Sequence, residues 1–214
     1  MGMRFRVDRR VLIPRPETEI LVEAAMEELR PGGEGLTVPA GRTVADLCCG
    51  SGAIGLSLAR LMPGSRVVLT DVSQDALDAA AENAALLGVR DRVEFVAGDL
   101  AAPLVEAGRI GEFDLVVSNP PYIAREEMDA LPRDVRCFEP HLALDGGPHG
   151  LRLIERLAAE VPQVIKSGGL FLMEIGDGQG QACQDIFAAG GRWRDSRVIP
   201  DLAGRQRVFK VRRG

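Results

Sequence analysis

The sequence predicts a doubly wound α/β fold on a mostly parallel, seven-stranded sheet, and three observations carry that prediction. From Thr43 onward, short β-branched runs alternate with helical periodicities, which is the pattern of βαβ units. Leu115, Val116 and Val117 form one such run, read as a buried strand. The last two predicted strands, "WRDSRVI" (193–199) and "QRVFKVR" (206–212), follow one another without a helix, so they form an antiparallel appendix.

The elements follow in chain order. "RFRVDRRVLI" (4–13) alternates and predicts a short hairpin or edge pair, stopped by Pro14 and Pro16. Thr18 is positioned to cap a helix over 19–29, where Ile20, Leu21, Ala24, Ala25 and Leu29 recur at helical spacing. Residues 1–30 thus form a hairpin and helix packed on the main domain, 31–42 a loop rich in Gly and Pro, and 43–214 the main domain. In that domain "TVADLC" is strand one, "AIGLSLARLM" a helix and "RVVLTD" strand two. "SQDALDAAAENAALLG" is a helix capped by Ser73 and stopped at Gly88. "RVEFVAGD" and "FDLVVSN" give strands three and four. A loop-rich stretch, the helix "GLRLIERLAAEVPQVIK", the strand "GGLFLMEI" and the helix "GQACQDIFAAG" precede the final pair.

Composition excludes several classes. The 214 residues are 46% hydrophobic and 27% charged, the balance of a globular domain with a sizeable core. No apolar run reaches the roughly 18 residues of a membrane span, and "MGMRFRVDRR" lacks a signal-peptide core, so a cytoplasmic location is expected. Cys48, Cys49, Cys137 and Cys183 show neither CxxC pairing nor histidines at zinc-ligand spacing, and no metal site is expected. A net charge of −5 argues against a phosphate backbone as the main partner. No oligomeric state follows from the sequence.

Ligands of doubly wound sheets sit at the carboxyl ends of the strands, near the switch in strand order. Strand one ends in "DLCCGSGAIG", where Gly50, Gly52 and Gly55 satisfy GxGxxG, and Asp71 ends the next strand. That combination suits a dinucleotide, whose ribose hydroxyls bind the acid and whose pyrophosphate sits on the helix N-terminus. It suits S-adenosylmethionine equally, with Asp46 available to the ammonium group. Asp99, after strand three, could accept from an adenine amino group, with the Leu100 backbone beside the ring; an ordinary turn explains it as well. Cys49 is read as a small packed side chain, and His141 and His149 as loop residues.

Strand four ends in "SNPPYI". Two prolines restrict the backbone and keep Asn119 out of the helical region. An Asn side-chain carbonyl and a fixed Pro120 carbonyl can accept the two N–H groups of a planar amide. Tyr122 adds a flat face that favours positive charge on the nitrogen. Such a clamp suits methyl transfer to a nitrogen whose lone pair is delocalised.

With these motifs the sequence resembles class I S-adenosylmethionine-dependent methyltransferases. "VLIPRPETE" (11–19) and "EPHLALDGGPHGL" (139–151) are similar to the HemK/PrmC-type protein glutamine N5-methyltransferases, over about Phe5 to Arg212. That resemblance implies S-adenosylmethionine as cofactor and, as acceptor, the glutamine of the Gly-Gly-Gln tripeptide in peptide-chain release factors. The alternative is an adenine-N6-type enzyme acting on RNA or DNA, since NPPY is shared with that group; a nicotinamide oxidoreductase rests on GxGxxG alone. Carried over by position, Asn119, Pro120, Pro121 and Tyr122 hold the acceptor, with Arg15 and Glu17 lining or bracing its pocket. Asp46, Cys48, Cys49, Gly50, Ser51, Gly52, Asp71, Val72, Asp99, Leu100 and Asn119 form the cofactor site. Cys48 stands where the family usually has glycine, which matters if that position needs positive φ. Members usually carry a helical N-terminal docking domain, whereas this sequence starts almost at "VLIPRPETE"; a truncated form, another docking mode and another substrate all stay open.

Overall fold

Apolar strands in the middle of the chain leave two faces to cover, and the helices divide between them. The computed structural model describes residues 2–30 and 41–214. Strands β1 (Thr43–Leu47), β2 (Arg66–Asp71), β3 (Val93–Ala97), β4 (Phe113–Ser118), β5 (Ile165–Glu174), β6 (Trp193–Pro200) and β7 (Gln206–Arg213) form one sheet in the order β3-β2-β1-β4-β5-β7-β6. β1 pairs in parallel with both β2 and β4, so the strand order reverses there and a crevice opens at their carboxyl ends. β7 runs antiparallel to β5 and β6, as the final pair predicts.

Side chains alternate along each strand and build two cores. On one face Val44, Leu69, Leu115 and Leu172 pack under helices α1 (Pro16–Glu28), α2 (Ala53–Leu61) and α3 (Gln74–Leu86). On the other, Leu47, Val116, Phe171 and Phe209 pack under α4 (Ala102–Glu106), α6 (Arg152–Val164) and α7 (Gly180–Ala189). In chain order the short α5 (Arg133–Phe138) falls between α4 and α6. Trp193 packs at a tilt against Phe171 and Phe187, and its indole N–H donates to Ala158 O at 3.0 Å. No helix among the described residues is long and apolar enough to cross a membrane.

Four expectations need correction. The alternating segment 4–13 makes no hairpin: it runs as an extended strap with one turn, in which Val11 N–H reaches Asp8 O. Its backbone is satisfied by the buried Asn83 of α3, which accepts from Arg6 N–H at 2.7 Å and donates to Arg6 O at 3.0 Å. A side-chain amide thus does what a partner strand would have done. The first helix begins at Pro16, where a proline's missing N–H costs nothing, and Thr18 lies inside it rather than capping it. The helix predicted to 166 ends at Val164, and Ile165 opens β5. Strand one stops at Leu47, because Cys48 turns to φ 60°. The predicted loop at 31–42 lies outside the described residues up to position 40. By contrast, Ser73 caps α3 through its hydroxyl, which accepts from Ala76 N–H, and Gly88 follows that helix at φ 68°.

Candidate active site

Two cavities open along the carboxyl edge of the sheet and meet at Asn119. The larger, of about 490 Å³, is lined by the turn after β1, by Asp71 and Val72 after β2, and by Asp99 and Leu100 after β3. The smaller, of about 190 Å³, is lined by Arg15, Pro120, Tyr122, Glu139 and Glu174. Leu12, Asn119 and Ala143 belong to both walls.

The glycine turn is held from behind. Gly50 N–H donates to Asp71 Oδ2 at 2.9 Å and Ser73 N–H to Oδ1 at 3.0 Å, so one acid ties the ends of β1 and β2 together. Each oxygen keeps a second lone pair for a ligand hydroxyl. Burial pushes the Asp71 carboxyl up, and backbone N–H groups, those of Ser73 and Gly50 among them, oppose that. Gly50 faces open space, whereas a Cβ on Gly52 would come within 2.7 Å of Leu56 Cδ1. The first glycine therefore allows approach to the backbone, and the second allows the helix to pack.

Several predicted cofactor residues stand in that wall: Cys48, Cys49, Gly50, Ser51, Asp71, Val72, Asp99, Leu100 and Asn119. Gly52 and Asp46 stand behind it. Asp46 is fully buried, accepts from Gly55 N–H at 2.8 Å through Oδ2, and has no partner for Oδ1 among the described residues. Burial pushes its carboxyl up to about 7. It braces the start of α2 instead of lining the cavity. Cys48 does sit at positive φ, the conformation that costs a side chain about 1–2 kcal/mol. Burial raises both the Cys48 and Cys49 thiols, which leaves neither as a nucleophile. Asp99 accepts from Arg156 Nη1 at 2.8 Å, an ion pair at the cavity rim.

The smaller cavity draws on four distant parts of the chain. Arg15 Nη2 donates to Glu139 Oε1 at 2.6 Å, and Thr18 Oγ1 donates to Glu174 Oε2 at 2.8 Å. Tyr122 O–H donates to Glu174 Oε1 at 3.1 Å. Burial and the Glu174 charge raise the Tyr122 phenol far above its usual range, so it stays a donor. Burial also raises Glu174, against the Thr18 and Tyr122 hydrogen bonds. Glu17 lines neither cavity; half-buried in the first turn of α1, its charge adds to both of those rises.

Behind Asn119–Tyr122 lies the "DGGPHG" loop. Ile123 N–H donates to Leu144 O at 3.1 Å and Gly146 N–H to Ile123 O at 2.9 Å. Gln179 Nε2 donates to Tyr122 O at 3.0 Å while its Oε1 accepts from Gly176 N–H at 2.8 Å. A Cβ on Gly146 would meet Pro121 O at 2.8 Å, so the two backbones touch. His141 and His149 are exposed and lie outside both walls. Glu139, Glu174 and Gln179 escaped the sequence reading. The signal for Glu174 was a lone acid ending the apolar run "LFLME", a place where an unpaired charge is costly. Among the described residues no cluster of His, Cys, Asp and Glu could hold a metal ion.

Residues 18–136 match the family described as "Methyltransferase small domain". The chain is 46% identical to the release factor glutamine methyltransferase of Moorella thermoacetica, over 98% of its own length and 70% of the relative's. It is 44% identical to the enzyme of that description from Cereibacter sphaeroides, over 99% of its own length and 70% of the relative's. A crystal structure of a release factor-specific protein-(glutamine-N5) methyltransferase from Alicyclobacillus acidocaldarius superposes with a TM-score of 0.54 at 30% identity. The match covers 98% of this chain and 99% of that one.

Proposed function

The chain belongs to the release factor glutamine methyltransferases, and we propose that it methylates a glutamine side-chain amide with S-adenosylmethionine. The acceptor is the glutamine of the Gly-Gly-Gln tripeptide of a peptide-chain release factor. One observation carries this reading: a nucleoside-sized cavity and a side-chain-sized cavity share Asn119 as a common wall.

The larger cavity fits the cofactor. Gly50 leaves the turn open to close approach, and Asp71 has lone pairs left for ribose hydroxyls. Asp99 and Leu100 stand at the third strand end, where a base would rest. When bound, the cofactor supplies a methyl carbon on positively charged sulfur.

The chain's own residues then present the nitrogen. Asn119 Oδ1 and the Pro120 carbonyl accept the two amide N–H groups, which turns the nitrogen's faces toward the neighbouring cavity. Both prolines are buried, so this backbone carbonyl has little freedom. Tyr122 offers its face to the amide plane, with its hydroxyl fixed by Glu174 and its carbonyl by Gln179. The Glu174 carboxyl in the cavity wall favours positive charge on nitrogen during transfer. No strong base is required, since the proton leaves once the new bond has formed. Positioning of this kind contributes on the order of 7–11 kcal/mol in favourable cases.

The test uses isotopically labelled cofactor, a bacterial release factor and mass spectrometry. One added methyl on the Gly-Gly-Gln glutamine supports the reading; no incorporation with cofactor binding intact overturns it.

A further inference from the structure

Glu139, in the wall of the smaller cavity, has a buried hydrogen-bond acceptor with no partner among the described residues. Glu139 is 4% exposed in its side chain, and Arg15 occupies its Oε1. Its Oε2 is buried and makes no hydrogen bond among the described residues. Leaving such an atom unsatisfied is costly, and an apolar residue at the same place would avoid that cost. The neighbouring acid differs: Glu174 has a donor on each oxygen. The other buried polar atoms without partners, Asp46 Oδ1, Glu160 Oε2 and Arg30 Nε, belong to residues outside this wall. Of these four residues, Glu139 is the one that lines the cavity that would take the acceptor.

We propose that Glu139 is a substrate-binding residue whose Oε2 accepts a neutral amide N–H of the acceptor peptide. The proposal rests on the glutamine-methylation reading above and assigns that peptide a further contact. Neutrality follows from Arg15, whose guanidinium at 2.6 Å cancels the Glu139 charge and leaves an oxygen suited to a dipole rather than a cation. The N–H belongs to the peptide's main chain, because Asn119 and Pro120 take both N–H groups of the carboxamide. Glu139 thereby connects the motif at 139–151 with recognition, while Arg15 of the motif at 11–19 holds it in place.

Glu139→Gln separates the roles. Its amide oxygen still accepts from Arg15, but an NH₂ group replaces Oε2 and opposes an incoming N–H. The probes are a synthetic peptide containing Gly-Gly-Gln and the same peptide with the main-chain nitrogen of glutamine methylated. Isothermal titration of the cofactor-loaded protein is expected to show the variant binding the first peptide at least about tenfold more weakly. Cofactor affinity stays within about twofold of the parent's. The methylated peptide, which lacks that main-chain N–H, is expected to bind parent and variant alike; a deficit of the variant that persists with it overturns the contact. Equal affinity of parent and variant for the first peptide overturns the proposal alone. Absence of peptide binding by the parent overturns both this and the functional reading. A crystal structure of the unsubstituted protein with the peptide decides the point if the variant folds poorly. A peptide nitrogen within about 3.2 Å of Oε2 is expected, and any other partner or none refutes the contact.

Discussion

Alanine at Gly150 tests whether the loop behind Asn119–Tyr122 sets the acceptor site. Gly150 has φ +70°, and a Cβ there would stand 2.7 Å from Gln179 Nε2, 3.0 Å from Tyr122 C and far inside contact with Tyr122 O. The side-chain amide could swing aside, but the carbonyl is backbone. Restoring an ordinary carbon–oxygen contact needs the two segments to part by roughly 1 Å. The left-handed conformation costs alanine about 1–2 kcal/mol and the overpacking about 1–3 kcal/mol, together roughly 3 kcal/mol. For a chain of this size that lowers Tm by roughly 6–12 °C. The displaced Tyr122 carbonyl is bonded to the ring's own residue and follows directly on Pro120 and Pro121. A misplacement of this size costs on the order of 10²-fold in kcat/KM. Calorimetry and methyl incorporation into a release factor read the two effects, and S-adenosylmethionine titration shows that the larger cavity is intact. Gly204→Ala is the control: φ +81° with open space around it incurs the conformational cost alone and leaves kcat/KM unchanged. Full activity in Gly150→Ala would show that the loop does not position the acceptor.

Three further outcomes follow from the same contacts. Asn119→Ala removes a preorganised acceptor and is expected to lower kcat on the order of 10²–10³-fold, read by methyl incorporation, with the fold unchanged by circular dichroism. Asp46 is protonated in both states below pH 3.8; between there and about 7 the unfolded chain sheds the proton first, so stability falls as pH rises. The whole window is worth roughly 4 kcal/mol, of which about 3 kcal/mol falls between pH 5 and pH 8; denaturant titrations at those two pH values are expected to show that difference in the parent and to lose it in Asp46→Asn. Asn83→Ala frees the strap at 2–15 from α3 and from Ser51 O, which Asn83 Nδ2 reaches at 3.0 Å. Losing its three bonds costs about 3 kcal/mol, and limited proteolysis is expected to cut the strap first.

The sheet was legible because its strands are apolar runs bounded by Gly and Asp, and their ends located Asp71, Asp99 and Asn119. The strap misled because "RFRVDRR" has a strand's alternation, yet Val7 and Val11 pack against Ala76 and Ala79 of a helix. Helices α4 and α5 span only five and six residues, too few for a periodicity to emerge. Glu139 and Glu174 were hidden for a different reason. Their meaning lies in partners 124 and 156 residues away, and no local pattern encodes a contact at that separation.

That separation orders the events of synthesis. The turn after β1, the acid ending β2 and the edge of β3 all emerge within one stretch from 43 to 100, so a nascent chain can form that part of the larger cavity's wall early. Arg15 and Thr18 leave the ribosome first yet wait for Glu139 and Glu174, the latter at the close of the fifth strand. The wall of the smaller cavity therefore closes only once the fifth strand is made, and a chain halted before residue 174 would lack the Glu174 carboxyl that fixes Tyr122.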